Sequence, residues 1–97
     1  MGKHQRQPLF QITVSTLSGV EMSFWVKRDY SCIHSGLLLV EEMIRQGILF
    51  RWDPRITYDL VCNGEKVDWN CKLKDYNITE DVEIMPSLVV VLRRRGE

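Results

Sequence analysis

Phe10-Gln11-Ile12-Thr13-Val14-Ser15-Thr16-Leu17-Ser18-Gly19-Val20-Glu21-Met22-Ser23-Phe24-Trp25-Val26 sets the architecture. Phe10, Ile12 and Val14 alternate with Gln11, Thr13 and Ser15, the period of a strand buried on one face. Ser18-Gly19 supplies a tight turn. The alternation then resumes, with Met22, Phe24 and Val26 on one side and Glu21, Ser23 and Trp25 on the other. Two half-buried strands joined by a short turn make a β-hairpin.

The next segment changes period. Ser31 is placed to N-cap a helix that reaches about Gln46, and Gly47 stands just past its end. At 100° per residue, Ile33, Leu37, Val40 and Ile44 fall on one narrow stripe, widened on one side by Cys32, Leu39 and Met43. That stripe is expected to face the core. His34, Ser35, Glu41, Glu42, Arg45 and Gln46 take the polar arc, and Leu38 sits alone among them. Gly36 inside the helix costs about 1 kcal/mol relative to alanine.

An apolar-rich connection over 48–57 is broken at Asp53-Pro54, and a strand is expected from Tyr58 to Cys62. Asn63-Gly64 is a type I′ turn signal that folds Glu65 to Val67 back as a short strand. Leu73 to Ile78 reads as turn-rich and 79–87 as an acidic loop. Leu88 to Leu92 is apolar throughout, as in a central strand covered on one face and partly exposed on the other.

The 97 residues suit one small domain, and 44% hydrophobic with 27% charged residues is a globular balance rather than a disordered one. Thirteen basic and thirteen acidic residues cancel, which argues against a nucleic-acid binder needing a basic surplus. Arg93-Arg94-Arg95 reads as a solvated tail rather than a phosphate site. No apolar run is long enough to span a bilayer, and no signal-type segment follows the basic start, so no membrane association is expected. Cys32, Cys62 and Cys71 form no Cys-x-x-Cys pair and read as reduced thiols of a cytoplasmic or nuclear protein. Cys32 falls in the first helical turn, where the dipole can lower a thiol pKa, but no neighbouring base accompanies it. The core-thiol reading is preferred. With no phosphate loop, no catalytic triad, no metal-ligand spacing and no cofactor motif, the chain reads as non-enzymatic and cofactor-free.

Three segments resemble the ubiquitin-like, or β-grasp, family. Gln11 to Gly19 looks like the family's first strand and turn. Leu73-Lys74-Asp75-Tyr76-Asn77-Ile78 is similar to its Leu-Ser-Asp-Tyr-Asn-Ile segment and is the most specific of the three. Val91-Leu92-Arg93-Arg94-Arg95-Gly96-Glu97 resembles its Val-Leu-Arg-Leu-Arg-Gly-Gly tail. The resemblance implies an α+β fold, a mixed four- to five-stranded sheet curled around one helix. Residues 1–8 would be a flexible arm, 9–93 the ubiquitin-like domain and 94–97 a basic tail. Phe10, Phe24, Leu60, Val67, Leu73, Ile78, Leu88, Val90 and Leu92 would join the core, with the Tyr76 hydroxyl bonded to backbone.

The family binds partners through an exposed apolar patch on its sheet. Carried over, that patch is Leu17, Val61 and Val91, with Gly64 beside it, Val89 where the family has histidine, and Arg93 at the rim. Strand alternation agrees, turning Val61 opposite to Leu60 and Val91 opposite to Val90. Asp59 and Glu65 stand where the family is basic, so partners meeting a basic rim would face like charges. The expected function is protein–protein interaction by a monomer, its partners resembling ubiquitin-pathway receptors or enzymes. The alternative is a modifier conjugated through Gly96 after processing, although Gly96-Glu97 replaces the Gly-Gly that modifiers and sulfur carriers need. Trp25, Trp52 and Trp69 are either interface residues or rings buried under the longer loops.

Overall fold

The computed structural model describes residues 7–49 and 53–94. In chain order the elements are β1 (Phe10–Thr16), β2 (Glu21–Val26), α1 (Cys32–Arg45), β3 (Ile56–Cys62), β4 (Glu65–Lys66), a 3-10 turn (Leu73–Tyr76) and β5 (Leu88–Arg94). The five strands form one sheet in the order β2-β1-β5-β3-β4. Only β1 and β5 are parallel, and the other pairs are antiparallel.

The hairpin follows from its pattern. Ile12 pairs with Phe24 and Val14 with Met22, all on the face toward α1, while Gln11 pairs with Trp25 and Thr13 with Ser23 outside. The turn is closed by Gly19 N–H on the Thr16 carbonyl at 3.0 Å and Val20 N–H on Thr16 Oγ1 at 3.1 Å. Gly19 has φ +94°, which a side chain would resist. At the β3–β4 turn Asn63 and Gly64 both have positive φ, 50° and 86°, as a type I′ turn requires. Asn63 Oδ1 also accepts from Ser87 N at 2.8 Å, fixing the entry to β5.

β5 is the central strand that its apolar run implies. Leu60↔Val90 and Tyr58↔Leu92 pair toward the core, and Val61↔Val89 toward the outside. Leu73, Ile78, Val67, Leu60, Leu88, Ile12, Val14, Met22 and Val26 are buried with Leu39, Val40 and Met43 of α1. Phe10, Phe24 and Leu92 are only half-buried at the margins of this core. After the 3-10 turn Asn77 takes a left-handed conformation (φ 61°), and Asp68 N–H donates to the Tyr76 hydroxyl at 2.7 Å. The 79–87 loop is tied down by Arg28, which donates to Glu80 at 2.9 Å and to Asp81 at 3.1 Å. These bonds hold both carboxyls below their usual range. For Asp81, the hydrogen bond from Thr79 is the larger cause.

The helix begins and ends as its caps imply, with Ser31 accepting from His34 N at 3.1 Å and Gly47 following the Gln46 C-cap. Its rotation is not the expected one. Ile33, Leu37 and Ile44 are 55%, 57% and 37% exposed, and the buried face is Cys32, Ser35, Gly36, Leu39, Val40 and Met43. Leu38, placed among the polar residues, packs against the core. Two constraints turn α1. Its first N–H groups are anchored to a distant loop, Cys32 N on the Cys71 carbonyl at 2.8 Å and Ile33 N on Trp69 at 3.1 Å. Trp69 and Tyr58 also lean so close to the helix that a Cβ on Gly36 would stand 2.9 Å from the Trp69 ring and 2.8 Å from the Tyr58 hydroxyl. Small residues therefore face the aromatic pair, and the larger aliphatics turn outward.

Candidate functional site

Curling the sheet around α1 leaves its other side uncovered by any described element. Strand alternation puts Gln11, Thr13 and Ser15 of β1, Val89, Val91 and Arg93 of β5, and Thr57, Asp59 and Val61 of β3 on that outer side. The registers Ser15↔Val89, Val61↔Val89 and Asp59↔Val91 bring Val61, Val89 and Val91 into one cluster across the two central strands. All three are half-exposed.

Asp59 lies within this cluster, and its carboxylate is largely shielded. It is paired with the guanidinium of Arg93 and, at 3.5 Å, with Lys66 Nζ. Two cations around one anion leave the rim with one excess positive charge. The charge reversal expected from Asp59 in the sequence is therefore offset by its neighbours, and Glu65, exposed on β4, is the acid left facing solvent. Arg94 lies opposite Ile56 within β5.

Leu17 is 76% exposed, but it borders a different feature. The β1–β5 register carries it to the level of Val91, yet it lines a cleft of about 280 Å³ with Thr16, Val20, Ile48, Val90 and Leu92. Leu17 thus borders the cleft that Val90 and Leu92 line, while Val61, Val89 and Val91 make up the outer cluster. Gly64 is exposed in the β3–β4 turn beyond Val61. Gly96 and Trp52 lie outside the described residues.

Of the other tryptophans, Trp25 is 58% exposed on the outer face, with β1 between it and the valines. Trp69 is half-buried, edge-to-face with Tyr58 at 5.3 Å between ring centroids. Burial pushes the Cys32 thiol up to about 11 and the Cys62 thiol upward too. Desolvation thus outweighs the lowering expected at a helix start. Among the described residues, no group of three or more His, Cys, Asp or Glu could hold a metal ion, and no helix is long and apolar enough to cross a membrane.

Comparison with solved structures matches this geometry to designed proteins built on ubiquitin. One, a de novo design based on ubiquitin, is 22% identical with a TM-score of 0.56, covering 92% of this chain and 92% of that one. Another, a solution NMR structure of a computational design templated on human erythrocytic ubiquitin, is 21% identical with a TM-score of 0.52, covering 90% and 92%. The fold is ubiquitin-like. At these identities the likeness concerns the fold alone. No protein-family model and no curated protein matches the sequence.

The sequence missed two features of the surface. The Asp59 pairing depends on the β3–β5 register and has no signal in the linear chain. The outward aliphatics of α1, Ile33, Leu37 and Ile44, do carry a signal, their periodicity, but hydropathy alone points that stripe toward the core.

Proposed function

We propose that this ubiquitin-like domain is a non-enzymatic interaction module that binds other proteins through the outer face of its sheet. The supporting observation is the cluster of Val61, Val89 and Val91, half-exposed on the two central strands and bordered by Arg93 and Lys66 around Asp59. An apolar centre with a charged rim is the arrangement that interfaces favour, because the centre is cheap to desolvate and the rim orients the partner. The site sits on rigid paired strands, so little ordering entropy is lost on binding. With the Asp59 charge offset, the rim suits a partner carrying acidic residues around an apolar anchor.

Affinity capture from cells with the wild-type chain and with Val61→Asp tests this reading. Circular dichroism and thermal melting establish that both are folded. A buried carboxylate at the centre of the patch would have to lose its water on binding, so partners held by this face are lost from the variant. An unchanged partner set on a folded Val61→Asp chain overturns the proposal.

A further inference from the structure

The start of α1 runs beside the segment that leads into the 3-10 turn, and two cysteines stand opposite each other there. Ser31 and Lys72 are antiparallel bridge partners. On either side of them, Cys32 N–H donates to the Cys71 carbonyl at 2.8 Å and Leu73 N–H to the Tyr30 carbonyl at 2.9 Å. That register sets Cys32 against Cys71. Hydrogen-bonded opposite residues of an antiparallel pair have Cα atoms about 5.5 Å apart, and their side chains share a face. A disulfide spans Cα separations of about 4.4–6.8 Å, so the backbone already holds the two residues within its reach. Cys32 is fully buried in the core, and Cys71 packs half-buried against that same core. Of the ionisable neighbours that act on the Cys32 thiol, Cys71 acts most strongly, ahead of Asp75, Asp68 and Cys62.

We propose that Cys32 and Cys71 form a redox-modification site, at which a hydroperoxide closes an intramolecular disulfide that locks the start of α1 to the segment anchoring it. Cys71, the more exposed of the two, takes the first step. Its Sγ attacks one peroxide oxygen. An S–O bond forms, the O–O bond breaks, and the departing hydroxide takes the thiol proton as water, leaving a sulfenic acid. Cys32 is shielded from the oxidant but stands opposite the oxidised sulfur. Its Sγ attacks the Cys71 Sγ. The S–S bond forms, the S–O bond breaks, and the Cys32 proton leaves with the hydroxide as a second water. Two thiols thereby lose two electrons, and hydrogen peroxide is reduced to two waters. Cys62 takes no part, since it lies on β3 with its thiol toward the Tyr76 carbonyl at 4.0 Å. The new bond makes covalent an attachment that otherwise rests on the Cys32 and Ile33 N–H groups. It closes a loop of about 40 residues, which restricts the unfolded chain and so favours the folded one.

Treating the purified chain with hydrogen peroxide provides the test, read by thiol titration in denaturant, intact mass, peptide mapping and melting temperature. Titratable thiols should fall from three to one, and the mass by two hydrogens. Mapping should join the Cys32 and Cys71 peptides within a single chain. The melting temperature should rise by roughly 10–20 °C and return when dithiothreitol is added. Cys71→Ser, a change at a partly exposed position, should fold as wild type does and show neither the linked peptides nor the rise in melting temperature. Cys62→Ser should still close the bond. Three thiols surviving in the wild type, a Cys71 driven to sulfinic acid beside a free Cys32, a bond mapped to Cys62 or between two copies, or a closed Cys32–Cys71 bond that leaves the melting temperature unchanged or lower overturns the proposal.

Discussion

Replacing Gly36 by alanine should destabilise this domain, against the usual behaviour of a glycine inside a helix. Intrinsic propensity favours alanine there by about 1 kcal/mol. The added methyl, however, would stand 2.8 Å from the Tyr58 hydroxyl and 2.9 Å from the Trp69 ring. Ordinary contacts between such atoms are about 3.5–4.0 Å, so the aromatic pair must retreat by roughly an ångström. Overpacking of this kind costs about 1–3 kcal/mol. Retreat also loosens the edge-to-face contact of Tyr58 and Trp69, worth about 0.5–1.5 kcal/mol. The net expectation is a loss of about 1 kcal/mol, or about 4–8 °C in melting temperature for a domain of this size. Urea and thermal denaturation followed by far-ultraviolet circular dichroism measure it. In a Tyr58→Phe, Trp69→Ala background the obstruction is gone, and the same Gly36→Ala change should stabilise by up to about 1 kcal/mol. If Gly36→Ala raises the stability of the wild type, or shifts both backgrounds equally, the close approach does not govern the rotation of α1.

Further outcomes follow from the same structure. Stability should fall as pH rises from about 9 to about 11: the unfolded chain loses its Cys32 proton near 9.0 while the folded chain keeps it to about 11. Upward shifts of Cys62 and Tyr58 by burial act in the same direction, and urea midpoints across the pH series measure the sum. A disulfide-exchange reagent added to the native protein should modify Cys71 first, since Cys32 and Cys62 are buried, and should reach all three only in denaturant. Asn63→Ala should cost about 1–2 kcal/mol in urea denaturation, because it strains a residue at φ 50° and removes the bond to Ser87 N.

The strands were legible because a period of two leaves only two choices of face, and the core selects between them. Ile12 and Val14 against Thr13 and Ser15 admit no third arrangement. The Ser18-Gly19 and Asn63-Gly64 turns fixed the hairpin ends for an equally local reason, the backbone conformations those residues tolerate. A helix offers a continuous choice of rotation, and hydropathy alone selected the wrong angle. What turns α1 is remote in sequence: the carbonyls of Trp69 and Cys71 that receive its first N–H groups, and the rings of Tyr58 and Trp69 that exclude anything larger than Gly36. Ser35 is buried there, its hydroxyl donating to the Ser31 carbonyl at 3.2 Å. The candidate site divides in the same way. Alternation exposed Val61, Val89 and Val91, but the shielding of Asp59 by Arg93 and Lys66 and the cleft that Leu17 shares with Val90 and Leu92 both depend on how strands far apart in sequence lie side by side.

Residue-by-residue mapping of a bound partner bears most directly on the proposed interaction face. An isotope-labelled chain titrated with a partner recovered by wild type and lost by Val61→Asp should shift its amide signals at Asp59 to Val61 and Val89 to Arg93, leaving Ile33 to Arg45 in place. Perturbations confined to the helix, or spread without a centre on those two strands, would contradict the assignment of partner binding to the outer face of the sheet.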